Sequence, residues 1–439
     1  MTDVDPSPPA AAPRDPTPTA PPAGTPAMRL LPLVLPGVVV GVASALLLMA
    51  LSAVSNVVED VLWTRIPDTL GVDPASPAWI VLILTLVGLA VGLVVTFVPG
   101  HAGPDPATVE LGGPPLQLAV LPGLALAVII SLGGGVSLGP ENPIVGINVG
   151  LAVAIGLRVL PRMPGAAWSA LAFSGTVGAM FGTPVGAALL LSESITESGQ
   201  RMWDRLFGPL VAAAAGSLTL TLLGGESFVL TIVPYVQPQL VDLVTGSIVA
   251  CGAAAAGMLA IYAFPVSYAA FQRLRSPLAT LVVGGFLLGV LGAIGGPITL
   301  FKGLAQMQQL ADTVADYTPA ALAAAALIKM VAVVIAGTCG FRGGRIFPSV
   351  FAGVAMGLFV NAAFPWIPEA IAVSAAVVGI LLAVTRSGWL AIFMGALMVG
   401  DPVLIPILVI VVLPAWLVVT GRPEMVIPRP QPRPAEATA

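Results

Sequence analysis

One histidine, His101, is all the imidazole this 439-residue chain carries. That shortage removes most metal chemistry: no H-E-x-x-H pair is possible, so a zinc intramembrane protease is excluded, and no metal site is expected. Cysteine is almost missing too. Cys251 and Cys339 lie in apolar surroundings and read as free, inert thiols, not as a disulfide framework. Charge is scarce, 9% of residues where soluble proteins carry about 25%. The net charge is only −4, with no basic run interleaved with aromatics, so nucleic acid is not expected as a partner. No nucleophile–base–orienter set and no cofactor motif is visible, so neither an enzyme nor a bound cofactor is expected.

What is plentiful is apolar sequence, 57% of residues, with a mean hydropathy of +1.01. The windows 31–51, 78–98, 118–132, 320–336 and 403–419 are nearly free of charge, and a spanning helix needs roughly 20 apolar residues. The chain is therefore read as an all-α, polytopic membrane protein. The runs 184–191 and 389–399 are too short to span, which predicts helices that stop partway and pack inside a bundle. Forty-nine glycines and 43 prolines predict close helix packing and interrupted helices.

Residues 1–27 are rich in Pro, Ala and Thr, cannot bury a core, and read as a disordered tail, not a signal peptide. The tail 426–439 is again Pro-rich. Arginines flank both ends of the apolar region, which suggests that both termini are cytoplasmic. The body, 28–425, divides into halves at about 28–225 and 240–425, with a joint around 224–227 and 234–238.

Two cassettes of one skeleton, G-x-x-x-G-x-x-x-P, stand 205 positions apart: Gly135-Val-Ser-Leu-Gly139-Pro-Glu-Asn-Pro143 and Gly340-Phe-Arg-Gly-Gly344-Arg-Ile-Phe-Pro348. Each opens a long apolar stretch. Matching breaks in the two halves are the best sequence pointer to an ion site at a repeat interface. Pro143 fits the first turn of a helix, whose free N–H groups favour an anion. Glu141 sits there alone in apolar sequence. A carboxylate can fill an anion site itself and leave it when protonated, which makes Glu141 a gate and proton acceptor, or else a helix-capping carboxylate. Arg342 and Arg345, at a helix start that repels cations, need an anionic neighbour or form a structural pair holding a loop. Lys302 and Asp401 read as interfacial; Lys329 and Arg386 as groups that snorkel or pair.

These segments resemble the CLC chloride channel and chloride/proton antiporter family, in particular its bacterial YfeO-type ion-transport branch. Ser137-Leu-Gly-Pro-Glu-Asn-Pro143 is similar to the family's G-R-E-G-P segment, with Glu141 at the gating glutamate. Gly343-Gly-Arg-Ile-Phe-Pro348 is similar to G-G-I-F-x-P, with Arg345 inserted. Phe181-Gly-Thr-Pro-Val-Gly-Ala-Ala-Leu-Leu-Leu-Ser-Glu193 resembles F-N-A-P-x-x-G and the acidic residues after it. The resemblance covers about 30–425. It implies a homodimer in a bacterial inner (plasma) membrane, with one pore per subunit and an inverted repeat of tilted, partial helices.

Three positions depart from the pattern. The family's G-S-G-I-P serine falls on Pro104, with Asp105 beside it. Asp105-Pro106 also reads as an N-cap and first turn, the alternative being a pore-lining Asp105 paired with Arg345. The family's central tyrosine falls on Met425. Its internal proton-transfer glutamate falls on Ser194, and Glu193, one residue earlier, is turned by about 100°. The resemblance thus implies transport of a small anion, chloride first, by a chloride channel, voltage-gated channel or exchanger. Glu141 would be the gate. The anion would lie against the backbone around Gly139, Asn142, Pro143 and Ile144 and around Gly344, Arg345, Ile346 and Phe347, with loose proton coupling. A cation or proton pathway, motivated by Asp105, and a non-conducting sensor of the same fold are the alternatives.

Overall fold

The computed structural model describes residues 27–109, 111–194, 201–225, 228–233, 235 and 238–428. The tails expected at 1–27 and 426–439 fall almost wholly outside these residues, as do parts of the expected joint. Among the described residues the structure is helical, without a named strand. Proline and glycine cut the apolar sequence into helices. Pro77, Pro277 and Pro319 sit in first turns, where no N–H is needed, and Gly71, Gly182, Gly340 and Gly400 close helices in the left-handed conformation.

The first half begins with α1 (Ala27–Leu70), one continuous 44-residue helix, longer than the window 31–51 suggested. A π-helical turn at Val61–Arg65 lies inside it. Then come α2 (Pro77–Phe97), α3 (Leu121–Gly133), α4 (Glu141–Val159), α5 (Gly165–Phe181), α6 (Pro184–Ser194) and α7 (Met202–Leu222). The second half runs α8 (Leu240–Gln272), α9 (Pro277–Gly295), α10 (Leu304–Asp312), α11 (Pro319–Cys339), α12 (Ile346–Ala363), α13 (Glu369–Thr385), α14 (Gly388–Val399) and α15 (Leu404–Val419). Eight helices among the described residues are long and apolar enough to cross a membrane. The two short runs are α6 and α14, of 11 and 12 residues.

The halves repeat in packing as well as in order. α1 lies against α5 and α7; α8, its counterpart, lies against α13 and α15. Glycine makes both contacts possible. A Cβ on Gly41 would stand 2.2 Å from the Ala212 carbonyl oxygen, and one on Gly379 2.2 Å from that of Ala250. Backbones this close maximise dispersion contact, which replaces the hydrophobic effect between helices in lipid. The halves join along α2 and α9, where a Cβ on Gly88 or Gly285 would also meet opposing backbone at 2.3 Å. Inside the second half, α13 is buried from Ala370 to Val384 and carries no charge over that length.

Candidate functional site

Both cassettes begin where a helix ends. Gly135, just beyond α3, and Gly340, closing α11, have φ of 89° and 102°. Each turn throws the chain back across the bundle before α4 and α12 begin. The two strands of chain then meet. The Gly139 N–H donates to the Gly344 carbonyl at 2.9 Å, and the Gly344 N–H to the Gly139 carbonyl at 2.6 Å.

That reciprocal pair places the first residue of α4 over the first turn of α12. Glu141 is wholly buried, and its Oε1 accepts from the Phe347 N–H at 2.6 Å. Its Oε2 is buried without a hydrogen-bond partner among the described residues. The carboxylate therefore reaches the N-terminus of the opposite half's helix as well as the start of its own. Both glycines are needed for the fit: a Cβ on Gly344 would lie 1.9 Å from Oε2, and one on Gly139 2.3 Å away. The Phe347 ring is stacked on Phe228 at 5.4 Å, so the segment joining the halves packs onto the same helix start.

The arginines are held by carbonyls. Residues 100–103 all have positive φ, His101 and Ala102 included, and such a run turns successive carbonyls to one side. Arg342 fills that concavity, donating to the carbonyls of His101 at 2.9 Å, Ala102 at 2.8 Å and Gly103 at 3.1 Å, and to Gly340 at 3.1 Å. This is the loop-holding alternative for Arg342. Arg345 donates to the Val109 carbonyl at 3.1 Å and lies over the Phe264 ring at 5.5 Å.

Asp105 does not pair with Arg345. Its Oδ1 accepts from the Ala107 N–H at 3.0 Å and its Oδ2 from the Tyr268 hydroxyl at 2.9 Å. The carboxylate is an N-cap to the single turn Pro106–Thr108 and a tether to α8. Lys329 and Arg386 are both held by backbone carbonyls, with no acid within ion-pair distance of either among the described residues. Lys329 is fully buried and donates to three carbonyls. Arg386 closes α13 and donates to the Pro423 carbonyl.

A cavity of about 570 Å³ is lined by Asn142, Ile346, Arg345, Glu193 and Arg386, among others. A second, of about 220 Å³, is lined by Pro104, Pro143 and Arg342. Gly112, Gly113 and Asn142 line both, whereas Glu141 lines neither.

The sequence model of the family described as voltage gated chloride channel matches residues 106–420. This chain belongs to that family. The CLC assignment is supported along almost the full length by curated relatives. The YfeO protein of Shigella boydii serotype 4, named for ion transport, is 50% identical over 413 residues, 93% of this chain and 98% of its own. The YfeO protein of Escherichia coli strain K12 / DH10B is 49% identical over the same share. Among solved structures, a slow cyanobacterial Cl−/H+ antiporter has a TM-score of 0.74 at 18% identity, covering 89% of this chain and 95% of its own. A CLC-type fluoride/proton antiporter has a TM-score of 0.72 at 19% identity, covering 91% and 98%. At such identity these two speak for the CLC fold alone.

In this CLC chain the departures come together with the site's surroundings. Met425 is fully buried in the main core, and two residues on the Ile427 N–H donates to the Ala107 carbonyl at 2.8 Å. The segment bearing Met425 thereby lies against the turn that follows Pro104 and Asp105. Glu193 is exposed, and its Oε1 accepts from the Trp389 N–H at the start of α14 at 2.9 Å. The Ser194 side chain lies outside the described residues. Tyr268 and Phe264, which hold Asp105 and Arg345, went unnoticed in the sequence. They sit in the last turns of α8, and nothing local marks them as partners of residues some 80 to 160 positions away.

Proposed function

We propose that this CLC protein moves a small inorganic anion, chloride first, across the plasma membrane, and that Glu141 is its gate. One observation carries the reading: the Glu141 carboxylate sits on the N-terminus of α12, 2.6 Å from the Phe347 N–H. A helix start presents unpaired N–H groups and a positive dipole end, the natural place for an anion. A side-chain anion there excludes a free one. Protonation removes the charge that holds the side chain in place and frees the site. Asn142 would face the arriving ion from the cavities, with Arg345 and Ile346 beside it.

The cation alternative loses its motive, since Asp105 is engaged by Tyr268 and by its own turn. We further propose a homodimer, with each subunit carrying its own pathway.

Purified protein in liposomes, with chloride, fluoride, nitrate and potassium gradients and a pH dye, tests the reading. Anion efflux should rise as pH falls. Glu141→Gln should give high efflux that hardly varies with pH, at unchanged thermal stability. A variant that keeps the wild-type pH profile would end the gating proposal. Potassium flux without anion flux would end the anion proposal, and no flux of any ion would leave the non-conducting sensor.

A further inference from the structure

Lys329 lies mid-way along α11, fully buried, and no carboxylate pairs with it among the described residues. A buried ammonium is costly unless its three donors are all used. Here they are: Nζ donates to the carbonyls of Thr299 at 3.0 Å, Leu300 at 2.8 Å and Phe301 at 2.7 Å. The Phe351 ring on α12 lies 5.0 Å away and adds a cation–π contact. Three successive carbonyls aimed at one point require an unusual backbone. Phe301 has φ of 58°, which a bulky residue adopts only when its surroundings impose it.

The clamped stretch is also what holds the first cassette. The Phe301 N–H donates to the Gly135 carbonyl at 3.0 Å, and the Ser137 hydroxyl to the Thr299 carbonyl at 3.0 Å. Lys302 follows this stretch directly, and Arg345 stands at the start of α12. α12 carries no charged residue, and α4 carries only Glu141 and, at its far end, Arg158. Lys329 itself stands on the helix that ends at the second cassette.

We propose that Lys329 is a positioning residue for the gate: it clamps the backbone of residues 299–301, which anchors the cassette that carries Glu141. The proposal rests on Glu141 being the gate. With the clamp loosened, the carboxylate is held less firmly over the Phe347 N–H, so the gate should open at higher pH.

The test is anion efflux against pH in liposomes, with thermal unfolding measured in parallel. Lys329→Met should move the pH of half-maximal efflux upward by about half a unit or more, and Ser137→Ala/Lys329→Met should shift it no further than the larger single change. Should Lys329→Met fail to fold, Ser137→Ala loosens the same backbone without a buried charge and must shift the profile upward. A wild-type profile in folded Lys329→Met or in Ser137→Ala overturns the proposal. If Glu141→Gln flattens the profile while these variants leave it unmoved, only the positioning role falls. If wild-type efflux ignores pH, the gate falls and the positioning role with it.

Discussion

Arg342 shows how a charge can be kept inside this protein by backbone carbonyls, with no acid within ion-pair distance among the described residues. It is 7% exposed, and four carbonyls take its donors. Replacing it with Met would strand those carbonyls. The expected loss is about 2–4 kcal/mol, read as a lower unfolding temperature in detergent. Arg342→Lys should recover little, because an ammonium lacks the planar fork that spans several acceptors. A temperature unchanged in Arg342→Met would show that the 100–103 loop holds itself. The same residue marks what sequence could not reveal. An unpaired arginine in apolar sequence announces a partner but does not name it, and here three of the four partners are backbone oxygens some 240 positions earlier, which any residue type supplies. Lys329 and its three carbonyls were hidden for the same reason. Asp105 was legible as an N-cap because cap and turn are adjacent, while its bond to Tyr268 spans two helices.

At the scale of elements, the meeting of two helix starts governs the site, and glycine governs the meeting. Gly344 lies outside the left-handed region, so alanine there strains no backbone. Its Cβ would nonetheless collide with Glu141 Oε2 at 1.9 Å. The obstacle is the far end of a side chain, which can move away. Gly344→Ala should therefore expel the carboxylate and reproduce Glu141→Gln, with efflux high and nearly independent of pH; a retained wild-type profile would mean that the helix start, not the side chain, gives way. The cassettes were readable because glycine and proline at matching places record where backbones must turn and approach. The repeat of short helices was readable too, as α6 and α14 are short apolar runs bounded by Gly and Pro. The side-chain reach was not: helix-start logic put the Glu141 carboxylate on its own helix, and nothing in the sequence says that the Gly139–Gly344 pair also brings the Phe347 N–H within reach.

For the whole molecule, proton coupling through the proposed gate would require a route from Glu141 to the opposite face. Glu193 is exposed at the rim of the larger cavity and bound to the start of α14, and Met425, buried in the core, has no proton to exchange. An imposed chloride gradient should accordingly fail to drive protons uphill at a fixed ratio. Stoichiometric uphill movement abolished by Glu193→Gln would reverse that conclusion. The Gly139–Gly344 pair carries one more consequence. It joins the equivalent residues of two repeats, so it lies where their pseudo-twofold axis must pass. Two residues further along each cassette, that symmetry is broken: one side has Glu141 and the other Ile346. Two matched halves thus place this carboxylate on one side of the axis only. If Glu141 is the gate, acid on the two faces of the membrane reaches it by unequal paths, and rectification would follow from one unmatched side chain in an otherwise symmetric frame.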